Sequence, residues 1–348
     1  MGPACPTMEA LAACAESPAG ATLYVTLEPC CHQGRTPPCT EAILAAGISR
    51  VVIGSRDPNP RVNGRGAALL RQGGIQVDQD FLRRECDGLN AMFFHYITSG
   101  TPYIALKYAM TADGKIAAAS GLSRWITGEE ARREVHRLRG RYPAIMAGIG
   151  TVLADDPLLT CRLEGGRNPL RVICDSRLAI PLTSRICRTA AEVATIVACH
   201  AAPPGKRSAL EALGATVLEL PGPDGRVDLT GLARELGRRE ISGVLVEGGA
   251  ELNYSLLEAG LARRVYAFIG ARLFGGRTAK TPVGGQGVRL PEAGFCLTAP
   301  RFRAFGRDAL LEYQLEAPDG LAAGPPAARE GEPPVVKKGG EDHVHRNC

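Results

Sequence analysis

Glu28-Pro29-Cys30-Cys31-His32-Gln33-Gly34-Arg35-Thr36-Pro37-Pro38-Cys39 is the stretch on which the reading of this 348-residue chain turns. It follows Thr22-Leu23-Tyr24-Val25-Thr26-Leu27, a β-branched and apolar run that predicts a strand. It leads into a predicted helix over 38–46, with Pro in the first turn and Gly47 just past the end. Thiolates near a helix N-terminus are favoured by the helix dipole, which lowers their pKa and suits them to zinc. Cys30 and Cys39 can reach one ion across a loop stiffened by Gly and Pro, whereas Cys31 points away when Cys30 points in. A closed zinc clip, or thiols that are merely buried, is the plainer alternative.

Outward from this stretch the pattern repeats. A strand at 51–54, the turn Asp57-Pro58-Asn59-Pro60, a helix at 67–71, a strand at 75–77 and a helix at 82–95 predict a parallel sheet layered with helices. Ser99-Gly100-Thr101-Pro102 is a polar break, so a first domain is expected over 1–100 and a second over 101–316. The second opens with a strand at 103–109. Thr127 and Glu130 have the spacing of a capping box at a helix start. Strands are expected at 144–147, 170–174, 194–198, 216–220, 243–246, 264–269 and 310–315, with helices between most of them. From 317 to 348 the chain is rich in Pro, Gly, Glu and Lys without periodicity, which predicts a disordered tail. His343, His345 and Cys348 are metal-binding residue types, but a solvated tail is the simpler reading.

Composition narrows the classes. Hydrophobic residues are 45% and charged residues 22%, as in globular chains, and no apolar run reaches 18 residues, so no membrane span is expected. Met1-Gly2-Pro3-Ala4-Cys5-Pro6 lacks a basic and then apolar leader, so the twelve Cys read as reduced thiols in a cytoplasmic protein. The net charge of 41 − 36 = +5 is mild, and aromatics are 5% with no basic run interleaved among them, which argues against a nucleic-acid partner.

A second set of motifs lies beyond residue 100. These are Leu106-Lys107-Tyr108-Ala109-Met110-Thr111-Ala112-Asp113-Gly114-Lys115-Ile116-Ala117, Ser123-Arg124-Trp125-Ile126-Thr127, Gly148-Ile149-Gly150-Thr151-Val152-Leu153-Ala154-Asp155-Asp156-Pro157-Leu158-Leu159-Thr160 and Val246-Glu247-Gly248-Gly249-Ala250. A buried strand that delivers Glu247 and then two glycines to a helix start leaves backbone amides bare for a pyrophosphate. A plain strand–turn–helix corner reads the same way. Gly148 and Gly150 allow close backbone approach to a ligand. The spacing is not G-x-G-x-x-G, which excludes a Rossmann domain. Trp125, the only Trp, suits a binding wall, with a core position as the alternative. Arg139 and Arg162 are phosphate candidates through their planar forks, against a background of solvated Arg in a chain with only six Lys.

The first cluster resembles the zinc-deaminase signature. With Asp57-Pro58-Asn59-Pro60 and Gly64-Arg65-Gly66, it is similar to the deaminase half of the bifunctional riboflavin-biosynthesis deaminase–reductases. The four later motifs resemble their reductase half. The resemblance implies an α/β fold: a truncated cytidine-deaminase-like three-layer domain followed by a dihydrofolate-reductase-like domain. It implies zinc on Cys30 and Cys39, and NADPH in preference to NADH. Cofactor contacts carried over are Ala109, Trp125, Thr151, Asp155, Ser176 and the run Gly249, Ala250, Glu251, Leu252, Asn253, Tyr254 and Ser255. Substrate contacts are Ser123, Arg139, Leu159, Arg162 and Glu247, with Lys107 and Asp113 on the same wall. The expected partner is a ribosylaminopyrimidine phosphate, and the chain is expected to be a homo-oligomer.

One departure matters. Where the family has His-Ala-Glu, this chain has Cys5-Pro6-Thr7. Cys5 can serve as a third thiolate ligand, but Thr7 cannot cycle a proton between zinc-bound water and a leaving amine. Glu9 falls toward another side of a helix, and Glu28 reads as a supporting residue. The expectation is therefore a competent reductase and an impaired deaminase, in a chain that is a fragment or starts late. Two other readings are a non-catalytic zinc module contacting nucleic acid and a deaminase of nucleosides or nucleic-acid bases.

Overall fold

Two separate sheets organise the chain, which the computed structural model describes over residues 6–33 and 37–316. The readings placed on Cys5, His343, His345, Cys348 and the tail from 317 lie outside the described residues. Among the described residues the chain divides into two compact units, 6–103 with 233–243 and 104–232 with 244–316.

The first unit carries α1 (Pro6–Ala12), β1 (Thr22–Leu27), α2 (Cys39–Ala45), β2 (Arg50–Ser55), α3 (Arg65–Gln72), β3 (Gln76–Asp78) and α4 (Arg83–Ser99). The three strands are parallel in the order β1-β2-β3, with Leu23 beside Val51 and Val25 beside Ile53. Parallel neighbours need crossover helices, and α2 and α3 supply them. Ile43 of α2, Val51 and Ile53 of β2, and Ala67 and Leu70 of α3 are buried together as the core.

The rest of the chain carries β4 (Tyr103–Thr111), α5 (Glu129–Arg141), β5 (Ala144–Gly148), α6 (Ile149–Asp155), β6 (Leu170–Cys174), α7 (Arg185–Arg188), β7 (Thr195–Cys199), α8 (Pro204–Ala212), β8 (Thr216–Glu219), α9 (Leu229–Arg238, which passes from the second unit into the first), β9 (Gly243–Glu247), α10 (Ala250–Glu258), β10 (Ala262–Gly270), β11 (Leu297–Phe305) and β12 (Asp308–Leu315). Its nine strands run in the order β11-β12-β10-β4-β9-β5-β6-β7-β8. From β9 to β8 the pairs are parallel, and β10, β12 and β11 close the other edge as antiparallel neighbours. Because β9, β5 and β6 are parallel, their last residues Glu247, Gly148 and Cys174 lie at one end of the sheet. That end is where open α/β sheets take ligands.

Arg171 is fully buried on β6, and its guanidinium is satisfied without leaving the core. It donates to the main-chain carbonyls of Leu158 (3.3 Å), Ile186 (3.1 Å), Thr189 (3.1 Å) and Val193 (2.9 Å). It also donates to the hydroxyls of Thr189 (2.8 Å) and Thr195 (2.9 and 2.7 Å).

Two local expectations need correction. The capping box of Thr127 and Glu130 does not form: α5 starts at Glu129 with Gly128 as its N-cap and no side-chain cap. Thr127 is buried, and its carbonyl accepts from Arg132 Nη1 at 2.6 Å. The Gly128 amide is instead met by Asp308 Oδ2 at 2.5 Å, and Asp308 Oδ1 accepts from Ala271 N at 3.3 Å. The strand β11 has no counterpart in the sequence reading. It is the edge strand, is almost wholly exposed, and shifts register between Thr298 and Arg301, where Pro300 has no amide to donate.

Candidate functional site

In the first unit, the loop after β1 is anchored by Glu28. This carboxylate is buried and accepts the backbone amides of Gly64 (3.0 Å), Ala67 (3.1 Å) and Asp57 (3.4 Å). It thereby caps α3, whose N-cap Gly64 has φ +80° and no side chain of its own to do so. Gly66 sits directly on the loop, since a Cβ there would lie 2.1 Å from the carbonyl oxygen of Pro29. With the loop so held, Cys30 Sγ is 3.2 Å from Cys39 Sγ and accepts the Cys39 amide at 3.3 Å. The Cys39 thiol beside it, against the effect of burial, brings the Cys30 thiol down to about 6. Two soft sulfur donors side by side fit zinc. Among the described residues no third His, Cys, Asp or Glu completes a metal-binding group with them.

Cys31 turns away, as its neighbour's orientation requires. Its Sγ donates to the Arg61 carbonyl at 3.5 Å, and burial followed by the charge of Glu28 raises its thiol above the usual range. It lines an open cavity of about 470 Å³ with His32, Arg61, Arg65, Leu69 and Gln72. Thr7 lies in the first turn of α1, which packs on α2, the helix that begins at Cys39. Glu9 is exposed on the same helix.

In the second unit, Glu247 ends β9 as a buried carboxylate between two cations. Arg139 of α5 grips it with both arms, Nε to Oε1 at 2.6 Å and Nη2 to Oε2 at 2.9 Å. Lys107 of β4 lies 3.3 Å from Oε2. Burial alone would raise the Glu247 pKa, but the charges of Arg139 and Lys107 overcome it and hold the carboxyl at about 2. Arg139 also donates to the Thr160 carbonyl at 3.0 Å, which ties the loop after α6 to α5.

Beyond Glu247, Gly248 and Gly249 have φ of +100° and +92°, a region that L side chains avoid. A Cβ on Gly248 would come within 2.6 Å of Thr151 Oγ1, and one on Gly249 within 3.7 Å of Gly148. The turn after β9 thus closes on the Thr151 side chain of α6 and touches Gly148 at the end of β5. The first amides of α10 and the Thr151 side chain are left beside a cradle that any larger residue would fill. On the rim, Ser123 donates to Asp155 Oδ1 at 3.1 Å and Arg124 Nη2 to the Asp155 carbonyl at 2.7 Å. Trp125 is 57% exposed with the Arg132 guanidinium 4.6 Å over its ring, so it is a wall and not core. Arg162 lies in the field of Arg139, Arg185 and Arg124, and burial with these like charges lowers its pKa. Within this group Arg139 is already paired with Glu247, and Arg124 is bonded to the Asp155 carbonyl.

The sequence pattern of the family described as RibD C-terminal domain matches residues 102–311. The chain belongs to the RibD family. Residues 3–55 match the cytidine and deoxycytidylate deaminase zinc-binding region. Among RibD-family relatives, riboflavin biosynthesis protein RibD of Actinobacillus pleuropneumoniae is 48% identical over 305 residues, which are 88% of this chain and 81% of that protein. The structure of Acinetobacter baumannii RibD, form 1, has a TM-score of 0.78 at 33% identity, covering 90% of this chain and 86% of that one. A Thermotoga maritima diaminohydroxyphosphoribosylaminopyrimidine deaminase/5-amino-6-(5-phosphoribosylamino)uracil reductase has a TM-score of 0.74 at 35% identity, with the same coverages. The α/β class and the deaminase-like and reductase regions expected of the chain are those of the RibD family. The reading as a non-catalytic zinc module finds no support among these relatives.

Against this RibD-family frame, Lys107, Arg139 and Glu247 form one cluster. Thr151 lies against Gly248, the residue before Gly249, and Ser123 with Asp155 forms a further pair. Ala109 is half-buried on β4, and Ser176 follows β6 with its carbonyl accepting from His200 N at 3.1 Å. Several carried-over residues turn their side chains inward. Leu159 is buried in the core at φ +53°, and Leu252 is buried as well. Asn253 Nδ2 donates to the Pro282 carbonyl (2.9 Å) and the Tyr254 hydroxyl to that of Gly287 (3.1 Å). Glu251 Oε1 accepts the Gly285 amide at 3.1 Å. Ser255 lies a turn further along α10. Asp113 leaves the Lys107 cluster: its carboxylate takes the Thr111 hydroxyl and the amides of Gly275 and Phe274, which together hold it at about 2. Sequence reading passed over Arg124, Arg185 and His136. Each is one basic residue in an Arg-rich chain, and no local pattern marks it.

Proposed function

We propose that this chain reduces 5-amino-6-(5-phosphoribosylamino)uracil to its ribitylamino product with NADPH, and that its deaminase half is impaired. The observation that carries the reading is the Lys107–Glu247–Arg139 cluster set beside the glycine cradle of Gly148, Gly248 and Gly249. The main chain of Gly249 and Ala250, with Thr151, Asp155, Ser176, Ala109 and the Trp125 face, would hold NADPH, which supplies the hydride. Arg162, supported by Arg124 and Arg185, holds the substrate phosphate through paired N–H donors. Glu247 remains ionised at neutral pH, so it orients and does not donate a proton. One Lys107 N–H is directed to Glu247 Oε2, which aims the remaining two N–H groups toward the substrate. Ser123 and the main chain of Leu159 complete the substrate wall.

In the first domain, over 1–100, Cys30 and Cys39 would hold zinc, with Cys5 as a third ligand. Thr7 offers no carboxylate, and both oxygens of Glu28 are committed to the α3 amides. Loss of a general acid/base typically costs about 10²–10⁴ in rate. The reductase then occupies 101–316 of a cytoplasmic homo-oligomer that acts on small molecules and not on nucleic acid. The test is paired. Purified chain given the deaminated ribosylaminouracil phosphate oxidises NADPH, and given the diamino precursor it releases ammonia slowly or not at all. Absence of NADPH oxidation by folded protein overturns the reductase assignment, and brisk ammonia release overturns the impairment.

A further inference from the structure

We propose that His136 is a positioning residue for phosphate binding: it seats the loop that carries Arg162 by accepting that residue's backbone N–H on Nδ1. The inference rests on the reading of Arg162 as the phosphate ligand and goes beyond it to how the guanidinium is held in place. The bond is 3.2 Å long. It is one of three successive tethers between this loop and α5. Thr160 O accepts from Arg139 Nη1 at 3.0 Å, and Cys161 Sγ donates to the His136 carbonyl at 3.3 Å. His136 and Arg139 are three residues apart on α5 and so lie on one face. Arg139 is already fixed by Glu247, which leaves the His136 imidazole as the side chain that sets the main chain of Arg162.

Of the three tethers, only this one is lost when a proton is added. A neutral imidazole with its proton on Nε2 accepts at Nδ1; an imidazolium donates at both nitrogens and accepts at neither. Protonation therefore ejects the Arg162 amide. It also adds a positive charge to a cluster that holds Arg124, Arg139, Arg162 and Arg185. The groups facing His136 are Arg139 on α5, Arg162 on the loop, Lys107 on β4 and Glu247 on β9. Three other arginines of the helix are engaged elsewhere: Arg132 with the Thr127 carbonyl, Arg133 with Glu129 and Arg137 with Glu134. Burial first, and then the charges of Arg139 and Arg162, keep the imidazole below the usual histidine value, in its accepting form. Acid reverses this, so affinity for a phosphorylated substrate falls as His136 is protonated.

The experiment compares wild type with His136→Ala, His136→Asn and Arg162→Ala in steady-state reduction of the ribosylaminouracil phosphate across the acidic pH range. Folding is checked by circular dichroism. In His136→Ala the KM for that substrate rises about fivefold, the equivalent of one neutral hydrogen bond. The loss falls mainly on KM, and the KM for NADPH stays in place. His136→Asn, whose Oδ1 stands close to where Nδ1 was, recovers most of the loss. Its kcat/KM also falls less steeply into acid than that of wild type, because an amide does not titrate and only the substrate phosphate, whose second ionisation lies at about 6, still does. An unchanged KM in His136→Ala beside a raised KM in Arg162→Ala overturns the inference and leaves the role of Arg162 intact. An unchanged KM in Arg162→Ala removes the phosphate reading itself. If His136→Ala does not fold, His136→Asn decides: an acid limb as steep as that of wild type overturns the proposal.

Discussion

Glu247 is a carboxylate whose ionisation is fixed by what surrounds it. Its ordinary value of 4.5 is brought to about 2 because Arg139 and Lys107 outweigh the penalty of burial. A carboxyl whose pKa is depressed on folding adds stability that is fully present above the unfolded value. That stability is lost as pH falls through the folded value. Here the window runs from about 4.5 down to about 2. Replacing Glu247 by Gln leaves two buried cations without their counter-charge, at an expected cost of about 3 kcal/mol at neutral pH. In urea unfolding across that window, the Glu247→Gln variant should show a shallower acid decline than wild type. Part of the decline survives through Asp113, an exposed carboxylate also held at about 2 by Thr111, Gly275 and Phe274. Identical acid slopes in the two proteins would refute the assignment.

Between elements, the narrowest fit is where the turns after β5 and β9 meet. Gly248→Ala puts a Cβ at positive φ and within 2.6 Å of Thr151, so it is expected to cost about 1–3 kcal/mol and to weaken NADPH binding in a fluorescence titration. Gly205→Ala on α8 meets nothing within 4 Å and has no positive φ, so it should bind NADPH as wild type does. Equal damage from both would mean that the closeness of the turns is not what shapes the site. Elements of this kind were legible in the sequence where burial is continuous. Leu170 to Cys174 read as a strand because their side chains pack on both faces, and Gly148-Ile149-Gly150-Thr151 read as a strand passing into a short helix. The start of α5 was not legible, because the residue that meets its first amide, Asp308, is 180 residues away. Nor was β11, an exposed edge strand with Arg301, Phe302 and Arg303 in sequence and a proline in its bulge. At the site, Glu247 and Arg139 were legible as residue types. Their bidentate pairing, the seat of Arg162 on His136 and the commitment of Glu28 to the α3 amides were not, because each joins segments far apart in the chain.

Over the whole molecule, the two compact units divide the chemistry: the paired thiols lie in one and the glycine cradle in the other. NADPH at a hundred times its Kd should stabilise the second unit by about 2.7 kcal/mol, read as a rise in its melting transition. Cys30→Ser should show the same NADPH-dependent rise, while its zinc content after dialysis falls below that of wild type. Loss of the NADPH response in Cys30→Ser would show that the two units are not energetically separate.

Arg171 sets a limit on how this sequence can drift. Glu247 answers to Arg139 and Lys107, two side chains that can themselves be replaced, so a change at one can be accommodated by changes at the others. Arg171 answers mostly to the carbonyls of Leu158, Ile186, Thr189 and Val193, which every substitution retains. No second mutation can withdraw those acceptors once the guanidinium is gone, and a lysine cannot reach them all from a single nitrogen. The position is therefore closed to compensation, and the loop that runs through Leu158 toward Arg162 inherits that constraint.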